Sequence, residues 1–217
     1  MPCIRPKPLH RPYGGVSAED RRTERRRRLL DAGLELFGTQ GIAATTIADV
    51  CAGAGLTKRY FYESFATIDD LANAVFSDVT ASLAEQVEPA VVAGGGLDPR
   101  PALTVYLSAV LGDPRLACLL GVESRTPALA GRQAAFGGRA VAMWFAAAPG
   151  AEDPLLRLRA HAFAGVIDEV TLAWTKGELD LSVEEVIDEL VDIFQRMALA
   201  DAHSSLGDAR TAPGLSL

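Results

Sequence analysis

Residues Thr46–Phe65 read TIADVCAGAGLTKRYFYESF, and the spacing inside this stretch decides how the rest of the chain is read. Thr46 followed by Asp49 has the pattern of a capping box, which opens a short helix with Ile47, Val50, Cys51 and Ala54 facing inward. Gly55 stops that helix after about two turns. Thr57 then caps a further helix, with Leu56 before the cap and Phe61 at the fourth helical position, an arrangement that staples the helix start hydrophobically. Two short helices joined at a glycine, the second locked at a steep angle, give the geometry of a helix-turn-helix.

The second helix has a clear division of faces. At about 100° per residue, Phe61 and Phe65 point one way and belong to a core. Arg59, Tyr60 and Glu63 point away from them, and Lys58 and Tyr62 share one flank. A small helix with two cations and two tyrosines outward can lie in a major groove, where Arg59 can donate two hydrogen bonds to guanine. Lys58 and the Tyr62 hydroxyl can reach bases or phosphates, and the helix starts at Thr46 and Thr57 bring backbone amides to phosphates. The same residues would also suit a solvated helix in a bundle, so the surrounding sequence has to choose.

Upstream, Ser17 and Asp20 form another capping box, and helix formers follow as far as Gln40, with Gly41 as the stop. Leu29, Leu30, Ala32, Gly33, Leu36 and Phe37 fall on one stripe of that helix. Its first half instead packs six arginines into Arg21–Arg28, which repel one another unless an anion is near. Residues 1–16, with four prolines and two glycines, should be a flexible arm. Downstream, a fourth helix is expected over Asp69–Glu88, closed by Pro89 and Gly94-Gly95-Gly96.

Five more helices follow from periodicity, over about 101–111, 114–122, 127–148, 153–176 and 183–202. Asp113-Pro114 and Asp153-Pro154 mark helix starts, and Ser182 with Glu185 forms one more capping box. No segment alternates like a strand, so the fold class is all-α. The expected division is an arm over 1–16, a helix-turn-helix domain over 17–76, a larger helical domain over 77–203 and a disordered tail over 204–217.

The net charge of −7 is unevenly placed: residues 1–76 carry +2 and the remainder −9, as a nucleic-acid-binding head on an acidic body would. Cys3, Cys51 and Cys118 are too few and too widely spaced for a disulfide framework. With neither a signal peptide nor a run of 18 apolar residues, the expectation is a cytoplasmic protein without membrane contact. His10, His161 and His203 are far apart, and no metal-ligand spacing or glycine-rich phosphate loop occurs. The expectation is therefore no catalysis, no metal and no cofactor.

The run from Arg25 to Phe76 resembles the amino-terminal domain of the TetR family of regulators nearly end to end. The matching pieces are Leu30, Ala32, Leu36-Phe37, Gly41, Thr46, Ile47, Val50, Ala54-Gly55-Leu56-Thr57, Phe61-Tyr62, Phe65 and Asp70-Leu71. The resemblance implies that Thr46, Lys58 and Tyr62 contact the DNA backbone or neighbouring bases, and that Arg59 and Tyr60 read bases. Three positions depart from the family pattern: Ser64 replaces a histidine, Glu63 often an aromatic, and Ile68 a phosphate-binding lysine. Because phosphate neutralisation supplies most of the affinity, these changes should weaken the grip. Arg11 and Arg21–Arg28, with Arg21 and Arg25 as the leading candidates, would compensate by extending along the DNA.

For the larger domain the resemblance implies a ligand pocket and a homodimer that reads a palindromic operator. Candidate pocket residues are Tyr106, Phe136, Met143 and Trp144, with His161 and Asp168 as polar groups. The effector would be a small apolar or amphipathic molecule. Candidate dimer residues are Leu158, Val166, Val170 and Trp174 on one long helix, and Val186, Leu190, Ile193 and Phe194 on the next. Gly137-Gly138 inside a helix costs about 1 kcal/mol each relative to alanine, which suggests a kink or a close helix approach. The resulting expectation is a ligand-released repressor. Its rivals are a DNA-binding regulator controlled by a protein partner, and a helical adaptor or enzyme with a vestigial head.

Overall fold

The computed structural model describes residues 17–95, 98–147 and 153–199, except the side chains of residues 134, 141–142, 144–147 and 198–199. The arm, the tail, Arg11 and the Trp144 side chain lie outside the described residues. Within them the chain is helical: α1 Ala18–Gln40, α2 Ile47–Ala54, α3 Lys58–Tyr62, α4 Ile68–Ala93, α5 Arg100–Gly112, α6 Pro114–Ala117, α7 Ala130–Ala147, α8 Pro154–Thr175 and α9 Val183–Leu199. No strand occurs among the described residues, and no single helix there is long and apolar enough to cross a membrane.

Local chemistry sets most helix starts. At Ser17, Thr46 and Thr67 the hydroxyl accepts from the third helical amide, and the aspartate at that position accepts from the cap amide. Thr57 differs from expectation. Its backbone is extended, at φ −91° and ψ 160°, and its carbonyl accepts from the amides of Tyr60 and Phe61, but its hydroxyl does not cap α3. The entrance of α3 is set instead by the apolar staple, with Leu56 half-buried and Phe61 fully buried.

Two helices depart from their expected ends. Helix α4 passes through Pro89 to Ala93. Proline removes one backbone donor, but Pro89 is exposed within the last turns, and continuing the helix buries Val91. The segment expected as one helix over 114–122 is α only to Ala117; Cys118–Val122 winds as a π turn and Glu123–Arg125 as a 3₁₀ turn. Gly121 in the π turn packs beside Thr171, Leu172 and Thr175 of α8.

One core runs through the described chain. Leu29, Phe37, Val50, Phe61, Leu71 and Val75 close the amino-terminal head, and Leu107, Val110, Leu119, Leu129, Phe163 and Leu190 continue it into the body. Helix α4 belongs to both parts, packing on α1, α5 and α7. Val186 and Leu190, expected at a dimer face, are only 2% and 1% exposed because α9 lays its apolar stripe against α5. Periodicity identified that stripe as covered, and this chain itself does the covering.

Candidate nucleic-acid interface and the cavity behind it

The turn between α2 and α3 is built at Gly55, whose φ of +62° favours glycine. The Leu56 amide donates back to the Cys51 carbonyl, which closes the end of α2. From α1, Arg28 Nη2 donates to the carbonyl oxygens of Ala54 and Gly55, the latter at 3.4 Å. A guanidinium from the first helix thus covers the carboxyl end of the second, where cations are favoured.

The rest of the arginine run has a similar explanation. Arg25 lies over the Tyr60 ring, 4.6 Å from its centroid, and sits 3.7 Å from the Glu63 carboxylate. Arg26 lies over Phe65 at 4.5 Å. Arg27 pairs with Glu24 at 3.0 Å and Asp31 at 2.7 Å. These four cations are held by carboxylates, carbonyls and aromatic faces of the protein, which relieves their mutual repulsion without nucleic acid. Arg25, expected to run along DNA, is therefore placed at the seam between α1 and α3. Arg21 also has an interaction within the described protein.

The outward surface of α3 carries Lys58, Arg59 and Tyr62, all exposed, with the Arg59 side chain 86% exposed. Tyr60, expected among the base readers, is half-buried and serves as the platform for Arg25. Glu63 Oε1 accepts from Arg59 Nε at 3.2 Å, so one carboxylate lies between Arg25 and Arg59. Thr46 and Thr57 are exposed at the starts of α2 and α3. The Thr46 hydroxyl donates to Asp49 at 2.6 Å, and this bond with the cap amide holds the Asp49 carboxyl below the ordinary carboxylate range. Ile68 is half-buried against the core, so the departure at that position supplies packing at the start of α4.

Behind the head, polar joints tie it to the body. Arg115 pairs with Glu35 of α1 at 3.0 Å while Asp113 braces it at 2.7 Å, and Glu123 accepts the Ile42 amide at 3.1 Å. On the other side, Arg132 of α7 donates to Asn73 at 3.2 Å and Ser77 at 2.9 Å on α4. Phe136, one turn along α7, meets Phe76 of α4 edge to face at 6.5 Å.

A cavity of about 100 Å³ lies just beyond that contact, between α4, α5, α7 and α8. Its walls include Leu83, Val87, Val91, Leu103, Tyr106, Phe136, Gly137, Met143, Ile167 and Asp168. Burial pushes the Asp168 carboxyl above its ordinary value, against the opposing effect of a hydrogen bond from Gln133. Tyr106 is likewise pushed up by burial, with Asp168 adding to the effect. His161 does not line this cavity. It lies nearly one turn before Ala164 on α8 and is exposed, because the cavity wall begins at Ala164. Neither Gly137 nor Gly138 accommodates a close helix approach, since a Cβ at either would meet nothing within 4 Å. Gly137 borders the open space of the cavity.

The fold and the exposed cationic face of α3 define a helix-turn-helix head on an all-α body. Residues 29–75 match the bacterial regulatory proteins of the tetR family. The chain carries that family's amino-terminal domain at its head. No curated protein matches it in sequence. Among solved structures it is similar to the FadR regulator from Bacillus subtilis in complex with stearoyl-CoA, with TM-score 0.62 and 15% identity over 77% of this chain and 96% of that one. It is similar to NalD from Pseudomonas aeruginosa, the secondary repressor of a multidrug efflux pump, with TM-score 0.60 and 19% identity over 81% and 95%. It also resembles the multidrug binding protein EbrR complexed with imidazole, with TM-score 0.59 and 25% identity over 77% and 94%.

Proposed function

We propose that this regulator is a repressor that binds a palindromic operator as a homodimer and is released by a small apolar or amphipathic effector. The observation that carries the reading is the course of α4. One helix holds the head through Leu71 and Val75, which pack beside Gly33, and then walls the cavity with Leu83, Val87 and Val91. A helix of 26 residues is about 39 Å long, so a shift at its cavity end moves the reading head. Arg132 and Phe136 bind α7 to the middle of α4 and give the cavity a second hold on the head.

The effector class follows from the walls, which are mainly aliphatic and aromatic, with Tyr106, Arg139 and Asp168 as the polar groups. An apolar cavity in this position favours small-molecule control over control by a protein partner, and over an adaptor or enzyme with a vestigial head. The stearoyl-CoA complex of FadR and the multidrug binding of EbrR are in keeping with such a class, and NalD's role as a repressor with repression. For the homodimer, α8 offers Leu155 and Leu158, 54% and 64% exposed, on the face that also carries Ala162 and Gly165. Small residues there let a second helix approach closely. Val166, Val170, Trp174, Ile193 and Phe194 are half-buried beside that face and are proposed to be covered further on pairing.

The test is to titrate the operator-bound full chain with a series of straight-chain and aromatic amphiphiles, following thermal midpoint and DNA release together. Compounds that raise the midpoint should release DNA, and Gly137→Leu, which fills the cavity, should abolish both effects. Release that is equally effective from the Gly137→Leu chain would overturn the cavity as the effector site.

A further inference from the structure

The carboxylate on the reading helix has a consequence beyond charge. Glu63 is exposed at the end of α3, and an unpaired carboxylate close to DNA phosphates would oppose binding. It is not unpaired. Glu63 Oε1 accepts from Arg59 Nε at 3.2 Å, and Glu63 Oε2 lies 3.7 Å from Arg25 Nη2. Arg25 is itself fixed, with its guanidinium over the Tyr60 ring and its side chain only 24% exposed. The carboxylate is therefore anchored from behind by a seated arginine and holds the exposed one in front.

We infer that Glu63 is the positioning residue that makes Arg59 a guanine reader, so that the bound site carries guanine at one fixed position. The geometry of the guanidinium supports this. With Nε engaged by Glu63, Arg59 projects its terminal Nη1/Nη2 fork into solvent on a side chain that is 86% exposed. That fork matches the paired acceptors O6 and N7 on the major-groove edge of guanine; adenine presents a donor in place of O6, and cytosine and thymine lack the pair. An arginine free at every torsion could instead swing to a neighbouring phosphate, which carries no sequence information. Holding Nε removes much of that freedom and commits the fork to the groove. Surface ion pairs at this spacing contribute little to stability, so the pair is better understood as a device for aim.

The inference rests on α3 being the DNA-reading helix. It also reverses the simpler expectation that Glu63 merely weakens the backbone grip. The two differ in which sequences respond to its removal.

The experiment selects bound duplexes from random DNA with the full-length wild type, Glu63→Gln and Arg59→Lys, and then measures affinity for the selected site, its single-base variants and an unrelated duplex. Wild type should select guanine at one position and prefer it over other bases by about ten- to a hundredfold. Arg59→Lys, which lacks the fork, should lose most of that preference at that position alone. Glu63→Gln should lower the preference at the same position several-fold while affinity for the unrelated duplex stays level or rises. A Glu63→Gln protein that binds all sequences more tightly and keeps its full guanine preference would overturn the positioning role. Selection of a sharp site lacking a guanine that depends on Arg59 would overturn the reader assignment while leaving DNA binding intact. Failure of wild type to enrich any duplex would instead remove the DNA-binding reading on which both rest.

Discussion

Arg28 and Gly55 are joined across the head, the guanidinium of α1 donating at 3.4 Å to the carbonyl of the glycine that makes the turn between α2 and α3. The same Nη2 reaches the Ala54 carbonyl, so one side chain satisfies the acceptors at the end of α2 and fixes how α3 leaves it. Arg28→Ala should cost about 1–2 kcal/mol of stability, the range for a partly exposed charged donor. Arg28→Lys should recover only part of it, because an ammonium lacks the planar fork. Both variants should weaken operator binding without changing the slope of affinity against salt, since the Arg28 guanidinium is engaged by the Ala54 and Gly55 carbonyls. Denaturant unfolding and a salt series check the two halves separately.

Gly38 sets the approach of α1 to α6. A Cβ built there would lie 2.5 Å from Arg115 Cβ and 2.6 Å from its Cα. Gly38→Ala should therefore destabilise the chain by about 1–3 kcal/mol despite alanine's better helix propensity. The Arg115–Glu35 pair should loosen with it, and chemical denaturation of the variant beside wild type gives the measurement.

Gly137 and Gly138 behave oppositely, because a Cβ at either meets open space. Replacing either with alanine should stabilise α7 by up to about 1 kcal/mol through helix propensity alone. Only Gly137→Ala should also narrow the cavity and weaken the largest effectors that bind wild type. Thermal midpoints with and without ligand separate the two contributions.

Asp168 gives a pH signature. Its carboxyl sits above the ordinary value because burial opposes the charged form, so ionising it costs folding stability. The penalty is absent below the unfolded-state value of 3.8, grows as pH rises through the raised folded-state value, and is complete above it. Asp168→Asn should accordingly be more stable than wild type at neutral pH, with the advantage vanishing near pH 3.8. A stability difference independent of pH would remove this role for burial.

Much of the head was legible because its signals are local. Capping boxes at Ser17 and Thr46, the glycine stops at Gly41 and Gly55, and the Phe61 and Phe65 spacing all operate within five residues. Thr67 and Asp70 carry the same box, which starts α4 at Ile68, one residue before the expected Asp69. Distant chemistry was harder to see. The arginine run has the look of a nucleic-acid arm because its partners, Ala54, Tyr60 and Phe65, lie 26 to 39 residues away and meet α1 only in the fold. The stripe of Val186 and Leu190 announced burial but not the identity of the covering surface, which is α5. Tyr106, Phe136, Met143 and Asp168, expected by residue type in a ligand pocket, line the cavity. His161 has the right chemistry and the wrong turn of the helix.

The most direct test of the central claim is the affinity of the full-length chain for its selected duplex and for a scrambled duplex, measured by fluorescence anisotropy from about 50 to 200 mM salt. A sequence-reading regulator should prefer the selected site by about a thousandfold or more, with log affinity falling linearly with log salt for both duplexes. Equal affinity for the two duplexes, or no measurable binding at the low end of the salt range, would contradict it.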